Sequence, residues 1–448
     1  MKSFKILFLA VIILAGCNSQ LDIEPFNTVS SSQALSTSGD VEALLVGAYT
    51  AAGDGDALGG NIQRDAELLG DDGEIFWDGT FVAPGEIWAK DMLNNNDQAR
   101  ETWLDTYETI NTANTVLANI ALVTAGKKNR VEGEAKFLRG LLYFELARIY
   151  GRTWLDGNPT QNLAVPLALS VNSTEKLARS TVAQVYGQAI TDLTEAKTLL
   201  PARNGLFATR QAASAVLSRI YLMQGDYANA LAESNTVIGS DEHSLTAAFA
   251  DAFGRTSTQS TSRTSNGNAT TEDVFAIQVT SQAGVNNLHT FFDPASRGDI
   301  PVEDAHLTIY TSGDVRRSFF VTSGGVRYTR KFNNRFGNVS VVRLAEMYLT
   351  RAEANFRLSS SVGATPEADI NRIRNRAGLA NITPGSLTLD EILNERRREL
   401  AFEGHLIHDL KRTLRPVGSL SYNDPKLVFP IPQRETIINP GLTQNPGY

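Results

Sequence analysis

The strongest constraint on the fold is a series of amphipathic helix patterns arranged in adjacent pairs. Near residue 41, Val41, Leu44, Leu45, Ala48 and Tyr49 recur at steps of three and four and share one face. Trp103, Leu104, Tyr107, Ile110, Ala113, Asn114 and Leu117 repeat the pattern from 102 onward. A second stripe over 132–150 stops at Gly151. Stretches 182–200 and 210–224 flank Pro201 and are followed by 226–238. A last pair covers 341–358 and 366–376, and 389–402 opens on Thr388-Leu389-Asp390-Glu391, a capping box. Helices this short are marginal alone, so they must bury their apolar faces against one another.

One pair is more specific. The spacing Leu217-x-x-x-Tyr221-x-x-x-Gly225-x-Tyr227-x-x-Ala230 matches a tetratricopeptide helix–turn–helix unit. Gly225 permits the tight turn, and Ala230 lets the two helices approach closely. The other pairs carry looser versions. The predicted fold is mostly α, with four tetratricopeptide-like pairs near 41–52, 102–150, 182–238 and 341–376 forming a superhelical scaffold. Irregular loops and a few short strands would pack on one side of it. The irregular regions are 53–100, rich in Gly, Asp and Asn, and 240–335. Within the second, 256–272 reads as a mobile loop, 274–280 alternates like a strand, and 325–332 suits part of a hairpin. The tail from Phe429-Pro430-Ile431-Pro432 to Tyr448 should run extended along the surface.

The N-terminus reads as a leader of residues 1–16. Lys2 and Lys5 precede an apolar run, 6–14, too short to span a bilayer, and Leu14-Ala15-Gly16-Cys17 follows. Small residues before a cysteine suit a lipoprotein signal peptidase, which makes Cys17 the expected lipid attachment site. Cys17 is the chain's one cysteine, so disulfides are excluded and stability must come from a core. Residues 17–38 read as a polar, flexible tether, and 39–448 as a single domain. The 49 acidic and 41 basic residues give a formal charge of −8. That balance argues against nucleic acid and favours a neutral ligand.

Catalytic signals are absent: the sequence contains no G-x-S-x-G, Walker A or dinucleotide-binding loop. No cofactor is expected. His405 and His408, three apart beside Asp409, lack a third ligand and read as structural. Asp54-x-Asp56-x-x-Gly59 with Asp65 resembles part of a calcium loop, but Leu58 occupies a ligand position, so a structural calcium ion is only weakly signalled. Glu395-Arg396-Arg397-Arg398-Glu399 reads as an ion-pair network holding the C-terminal helix rather than as an anion site. The informative residues are aromatic. Phe76-Trp77-Asp78 sits on a Gly-flanked loop tip, Trp88 follows, and Phe291-Phe292-Asp293 repeats the chemistry in the second irregular region. Flat rings stack on the C–H face of a pyranose while carboxylates and amides bind its hydroxyls. Trp77, Phe76, Asp78, Trp88, Phe291 and Phe292 are therefore the candidate ligand-binding residues.

Several motifs together resemble the SusD/RagB family of Bacteroidetes outer-membrane lipoproteins. They are Leu14–Cys17, Trp103-x-x-x-Tyr107-x-x-Ile110-x-x-Ala113-Asn114, Glu134-Ala135-Lys136-Phe137-Leu138-Arg139-Gly140, and Arg343-Leu344-Ala345-Glu346-Met347-Tyr348-Leu349-x-Arg351-Ala352-Glu353-Ala354. Glu395–Leu400, Phe429–Pro432 and Gln444-Asn445-Pro446-Gly447-Tyr448 complete the set. One departure is local: Leu406 and Ile407 stand where the family usually has an Arg and an aromatic. The resemblance implies a cell-surface, lipid-anchored protein that captures poly- or oligosaccharide without catalysis and delivers it to a SusC-like TonB-dependent transporter. A peptide cargo, as in RagB-like members, is the alternative, and a glycoside hydrolase a distant third.

Overall fold

A computed structural model of the chain describes residues 35–171, 175–253, 270–280, 282 and 284–448. The leader with Cys17, the tether up to residue 34 and most of the 256–272 loop lie outside them. The chain begins with α1 (Ser38–Ala52), α2 (Asn61–Gly70), α3 (Val82–Ala89), α4 (Asp97–Ala118) and α5 (Ala125–Tyr150). It continues through α6 (Val182–Leu199), α7 (Arg210–Gln224) and α8 (Tyr227–Ile238) to β1 (Asp273–Ile277). Next come α9 (Asn287–Phe292), α10 (Asp304–Leu307), β2 (Phe320–Ser323), β3 (Val326–Thr329) and β4 (Val339–Arg343). The last elements are α11 (Leu344–Leu358), α12 (Pro366–Arg376), α13 (Leu389–Leu400), α14 (Leu406–Arg412) and α15 (Gln433–Ile438).

Local chemistry sets these boundaries. Thr37 with Asp40, Thr181 with Gln184 and Thr388 with Glu391 form capping boxes at α1, α6 and α13. Gly225 ends α7 at φ +74°, in the left-handed region, and Asp226 caps α8 immediately afterwards. The turn read from the sequence is therefore present, with Leu217 and Ala230 buried beneath it.

Packing runs in sequence: α1 against α4, α4 against α5, α5 against α6, α6 against α7, α7 against α8, α8 against α11, and α11 against α12. The result is a scaffold of four helix pairs, as expected in number, but the pairing shifts: α1/α4, α5/α6, α7/α8 and α11/α12, where the sequence reading placed α4 with α5 and α6 with α7. Its central member is α5, where Phe137, Tyr143, Phe144 and Tyr150 are closed to solvent. Glycines explain how closely α6 can lie on it. A Cβ on Gly140 would stand 3.0 Å from both Asp192 Cβ and Leu193 Cγ, and one on Gly133 would press on Leu199 and Leu200. Arg139 bonds both oxygens of Asp192 at 2.8 and 2.7 Å and Asn114 at 2.8 Å, which ties α4, α5 and α6 together.

The strands form two small antiparallel pairs, β1 with β4 and β2 with β3. Gly324 and Gly325, both at positive φ, make the two-residue turn of the β2–β3 hairpin. Other expectations also change. Residues 53–100 are not wholly irregular, since they contain α2 and α3. The helices expected from 102 and 132 begin earlier, at Asp97 and Ala125. The helix expected from 341 begins at Leu344, because the β-branched run Val339, Val341, Val342 pairs with β1 instead. The tail is neither wholly extended nor wholly on the surface: 433–438 form α15 and Phe429, Ile431 and Leu442 are buried, while Phe429 N–H donates to the Ile149 carbonyl and the Gln444 amide exchanges hydrogen bonds with Ile431.

The Glu395–Glu399 cluster is an ion-pair network, as expected, but its partners come from elsewhere. The Glu399 carboxylate is fully buried and accepts from Arg316 at 3.1 Å, Arg343 at 2.7 Å and Arg376 at 2.5 Å. Arg343 also donates to Glu403 at 2.6 Å and to Glu272 at 3.2 Å, while Arg316 holds Asp314 and Glu395. Nearby, Arg219 pairs with Glu346, and Arg412 with Glu353. Burial alone would push the Glu399 carboxyl up. The guanidinium groups of Arg376, Arg343 and Arg316 overcome it and hold the group well below the usual carboxylate range. Asp409 is likewise held down to about 2, where burial is outweighed by Arg396 and Arg412.

Two outcomes follow. Gly140→Val should cost about 1–3 kcal/mol in denaturant titration by overpacking the α5–α6 seam; an unchanged midpoint would contradict the close-packing argument. Because the Glu399 and Asp409 carboxyls titrate lower when folded than unfolded, their stabilisation is complete above about pH 5 and is lost progressively as the pH falls from about 4 toward 2. Thermal midpoints should fall across that window. Glu399→Gln, which removes the buried charge that three guanidinium groups share, should cost about 3–5 kcal/mol at pH 7 and flatten the acid slope. A cost below about 1 kcal/mol would contradict it.

Candidate functional site

The loop that carries Trp77 is fastened to a neighbouring segment by a short backbone ladder. Ile75 bridges Val302, Phe76 N–H donates to the Pro301 carbonyl at 3.3 Å, and Asp78 N–H donates to the Asp299 carbonyl at 2.9 Å. Glu303 N–H donates back to Glu74, and Val302 N–H extends the ladder to Arg327 on β3. The loop's entry is fixed by Asp71, whose carboxylate accepts the N–H groups of Gly73, Glu74 and Ile75. Glu74 is held in turn by His306 at 2.9 Å and by Arg397.

Two rings stand on this ladder. The Trp77 indole N–H donates to the Phe81 carbonyl at 3.0 Å, closing the turn between the two residues. Gly79 and Gly85 seat the indole: an added Cβ at either would meet its ring atoms, at 2.4 and 3.1 Å. Trp77 is half-buried, whereas Phe81 is 49% exposed. Phe291 lies beneath both, with centroid distances of 5.9 Å to Trp77 and 6.4 Å to Phe81. The Arg297 guanidinium stacks 4.1 Å from the Phe81 centroid and donates to Asp299 at 2.6 Å and Thr80 at 3.3 Å. Asp78 is exposed at the rim. Burial raises the pKa of the nearby Tyr328 phenol, and the charges of Asp78 and Asp299 raise it further, so the hydroxyl keeps its proton.

This arrangement offers an apolar ring face beside acceptors (Asp78, Asp299), a cation (Arg297) and a phenol (Tyr328). Such a mixture suits a ligand with one flat C–H face and hydroxyls around its edge.

The expected site residues divide accordingly. Trp77 and Asp78 reach the surface together, and Phe76 is half-buried beside them. Trp88 pins the loop: its indole N–H donates to Asp71 at 3.1 Å and Ile75 at 3.3 Å. Phe291 and Phe292 do not form an open shelf, which corrects the sequence reading. They lie on α9, capped by Asn286, and point into the core. Phe291 is 5% exposed beneath Trp77 and Phe81, and Phe292 is closed between Phe332 and Phe402. Phe81, Arg297, Asp299 and Tyr328 were missed. Only Phe81 left a signal, four residues after Trp77 in the same Gly-rich loop.

The calcium-like pattern also rearranges. Asp54 and Asp56 meet Asp105 of α4, with carboxylate oxygens within 4.8 Å of one another. Asp65 instead lies buried beside Arg64, 2.7 Å away, so it cannot complete the loop as expected. Burial and the neighbouring Asp54 push the Asp105 carboxyl up to about 7. His405 and His408 are buried, and Asp409 is bound by Arg396 and Arg412.

No helix among the described residues is long and apolar enough to cross a membrane. A family model described as "Starch-binding associating with outer membrane" matches residues 26–222, and the SusD family model matches 310–418. The SusD-like protein P2 of Formosa agariphila is 26% identical over the full length of both chains. The starch-binding protein SusD of Bacteroides thetaiotaomicron is 32% identical over 127 residues, 25% of this chain and 22% of that one. A SusD superfamily protein of Bacteroides vulgatus superposes with a TM-score of 0.82 at 24% identity, covering 92% of this chain and 99% of the other. With residues 26–222 and 310–418 matched by SusD models and the helix-pair scaffold shared with solved SusD superfamily members, the chain belongs to the SusD/RagB family and has its carbohydrate-binding fold.

Proposed function

We propose that the protein is a non-catalytic, surface-tethered glycan receptor that captures oligosaccharide and passes it to a SusC-like TonB-dependent transporter. The single observation that carries the reading is that Trp77 and Phe81 both pack on Phe291 beside a backbone ladder, edged by Asp78, Asp299, Arg297 and Tyr328. A pyranose would lie against Phe81 and the open edge of Trp77, with its hydroxyls bonded by the polar groups around them. Phe76 and Trp88 set the loop's position, and Phe291 supports the rings from beneath. Tethering would be through acylated Cys17, since two or more acyl chains hold a soluble body firmly at a bilayer. Each contact is shallow, so affinity per site is modest and polymeric ligands gain by rebinding.

Calorimetry against a panel of neutral oligosaccharides tests the reading. Phe81→Ala should weaken binding about tenfold through loss of the stacked ring. Because the ring is exposed, stability should stay within about 0.5 kcal/mol. Absence of saccharide binding by the parent protein, or equal affinity in the variant, would overturn the assignment.

A further inference from the structure

A second concave surface lies away from the Trp77 ladder. It is a groove of about 650 Å³ between the segment carrying Phe249 and Phe253 and the segment leading into β2, with Arg330, Asn333 and Arg376 along its wall. Its floor is aromatic. Phe319 is half-exposed and packs against Phe249 at 5.5 Å and Phe253 at 5.9 Å. Those rings are fixed from below by cations: the Lys331 ammonium sits 4.9 Å from the Phe253 centroid and the Arg376 guanidinium 5.9 Å from that of Phe249.

The groove's polarity differs in sign from that of the first surface. Asp78 and Asp299 edge the Trp77–Phe81 pair, whereas no carboxylate is found among the described residues lining the groove. The Arg330 side chain is exposed, and among the described residues its guanidinium has no hydrogen-bond acceptor; the Asn333 amide is likewise unengaged. Arg376 is nearly buried and spends its two terminal nitrogens on Glu272 and Glu399, yet its Nε–H has no acceptor. The Arg376 Nε–H is closed to solvent, so the cation the groove offers is the exposed Arg330. A free guanidinium beside an aromatic floor calls for a ligand with an apolar face and an anionic group.

Building on the glycan-binding reading, we infer that this groove is a second saccharide site that selects an anion-bearing residue, a uronate or a sulfate ester. The pyranose face lies on Phe319, Asn333 and Ser318 bond its hydroxyls, and Arg330 takes the anion. The negative net charge of the chain does not oppose this, because screening leaves local charge to dominate at a surface groove.

Calorimetry on the full protein would compare a galacturonate trimer, a sulfated galactan tetrasaccharide and neutral maltotriose, for the parent, Arg330→Ala and Phe81→Ala. The expected result is tighter binding of at least one anionic probe than of maltotriose. Arg330→Ala should weaken that binding about tenfold, as should high salt, and leave neutral binding unchanged. Which anionic probe binds assigns the carboxylate or the sulfate. Equal binding of neutral and anionic probes with no effect of Arg330→Ala would overturn the second site and leave the first standing. Inorganic sulfate competing as well as the oligosaccharide would reduce the groove to a simple anion site and overturn the saccharide assignment. Absence of binding by every probe would overturn both readings.

Discussion

The buried carboxylate of Glu399 is the point on which the structure turns. It lies on α13 and accepts guanidinium groups from three other places in the chain: Arg316 before β2, Arg343 at the start of α11, and Arg376 at the end of α12. A buried charge is costly unless its partners are placed well, so each segment must arrive in register before any of them is stabilised. Arg343 illustrates the coupling: it precedes the first turn of α11, pairs across to Glu272 beside β1, and reaches Glu403 beyond α13. The network therefore joins the helix pairs to the irregular side.

The same helix extends that order to the loop that carries Trp77. Arg397, two residues before Glu399, holds Glu74, and His306 holds the other oxygen of the same carboxylate. Burial pushes the His306 imidazole down to about 3, so it stays neutral and serves as a hydrogen-bond donor without adding charge. From Glu74 the ladder with 299–303 begins, and Trp77 and Phe81 stand at its end. A ring held in the open loses the stabilisation it would gain by burial, and fixed backbone on both sides is what keeps it from collapsing inward.

The sequence reveals the helix pairs because their apolar spacing and end signals agree. Thr388 with Glu391, and Gly225 before Asp226, mark ends that local chemistry alone enforces. It conceals α2 because that helix is short, Asn61–Gly70, lies in a Gly-, Asp- and Asn-rich stretch and buries the polar Arg64, Asp65 and Glu67. It identifies the Glu395–Glu399 cluster as structural, but not Arg316, Arg343 or Arg376 as its partners, which lie 23 to 83 residues from Glu399. In the site, Trp77 and Asp78 are legible from a Gly-flanked tip. Phe291 and Phe292 mislead because adjacent aromatics look alike on a loop and on a short capped helix. Arg297 and Tyr328 reach the site only through the ladder, which has no sequence signature.

Everything the molecule would do with a sugar presupposes that the ring-bearing segment is already rigid before a ligand arrives. Amide hydrogen exchange on the free protein measures this at the right atoms. The N–H groups of Phe76, Asp78, Val302 and Glu303 should exchange orders of magnitude more slowly than those of unstructured loop residues. Exchange at loop rates for all four would mean that the ladder opens freely, and the claim of a preformed ring surface would fail.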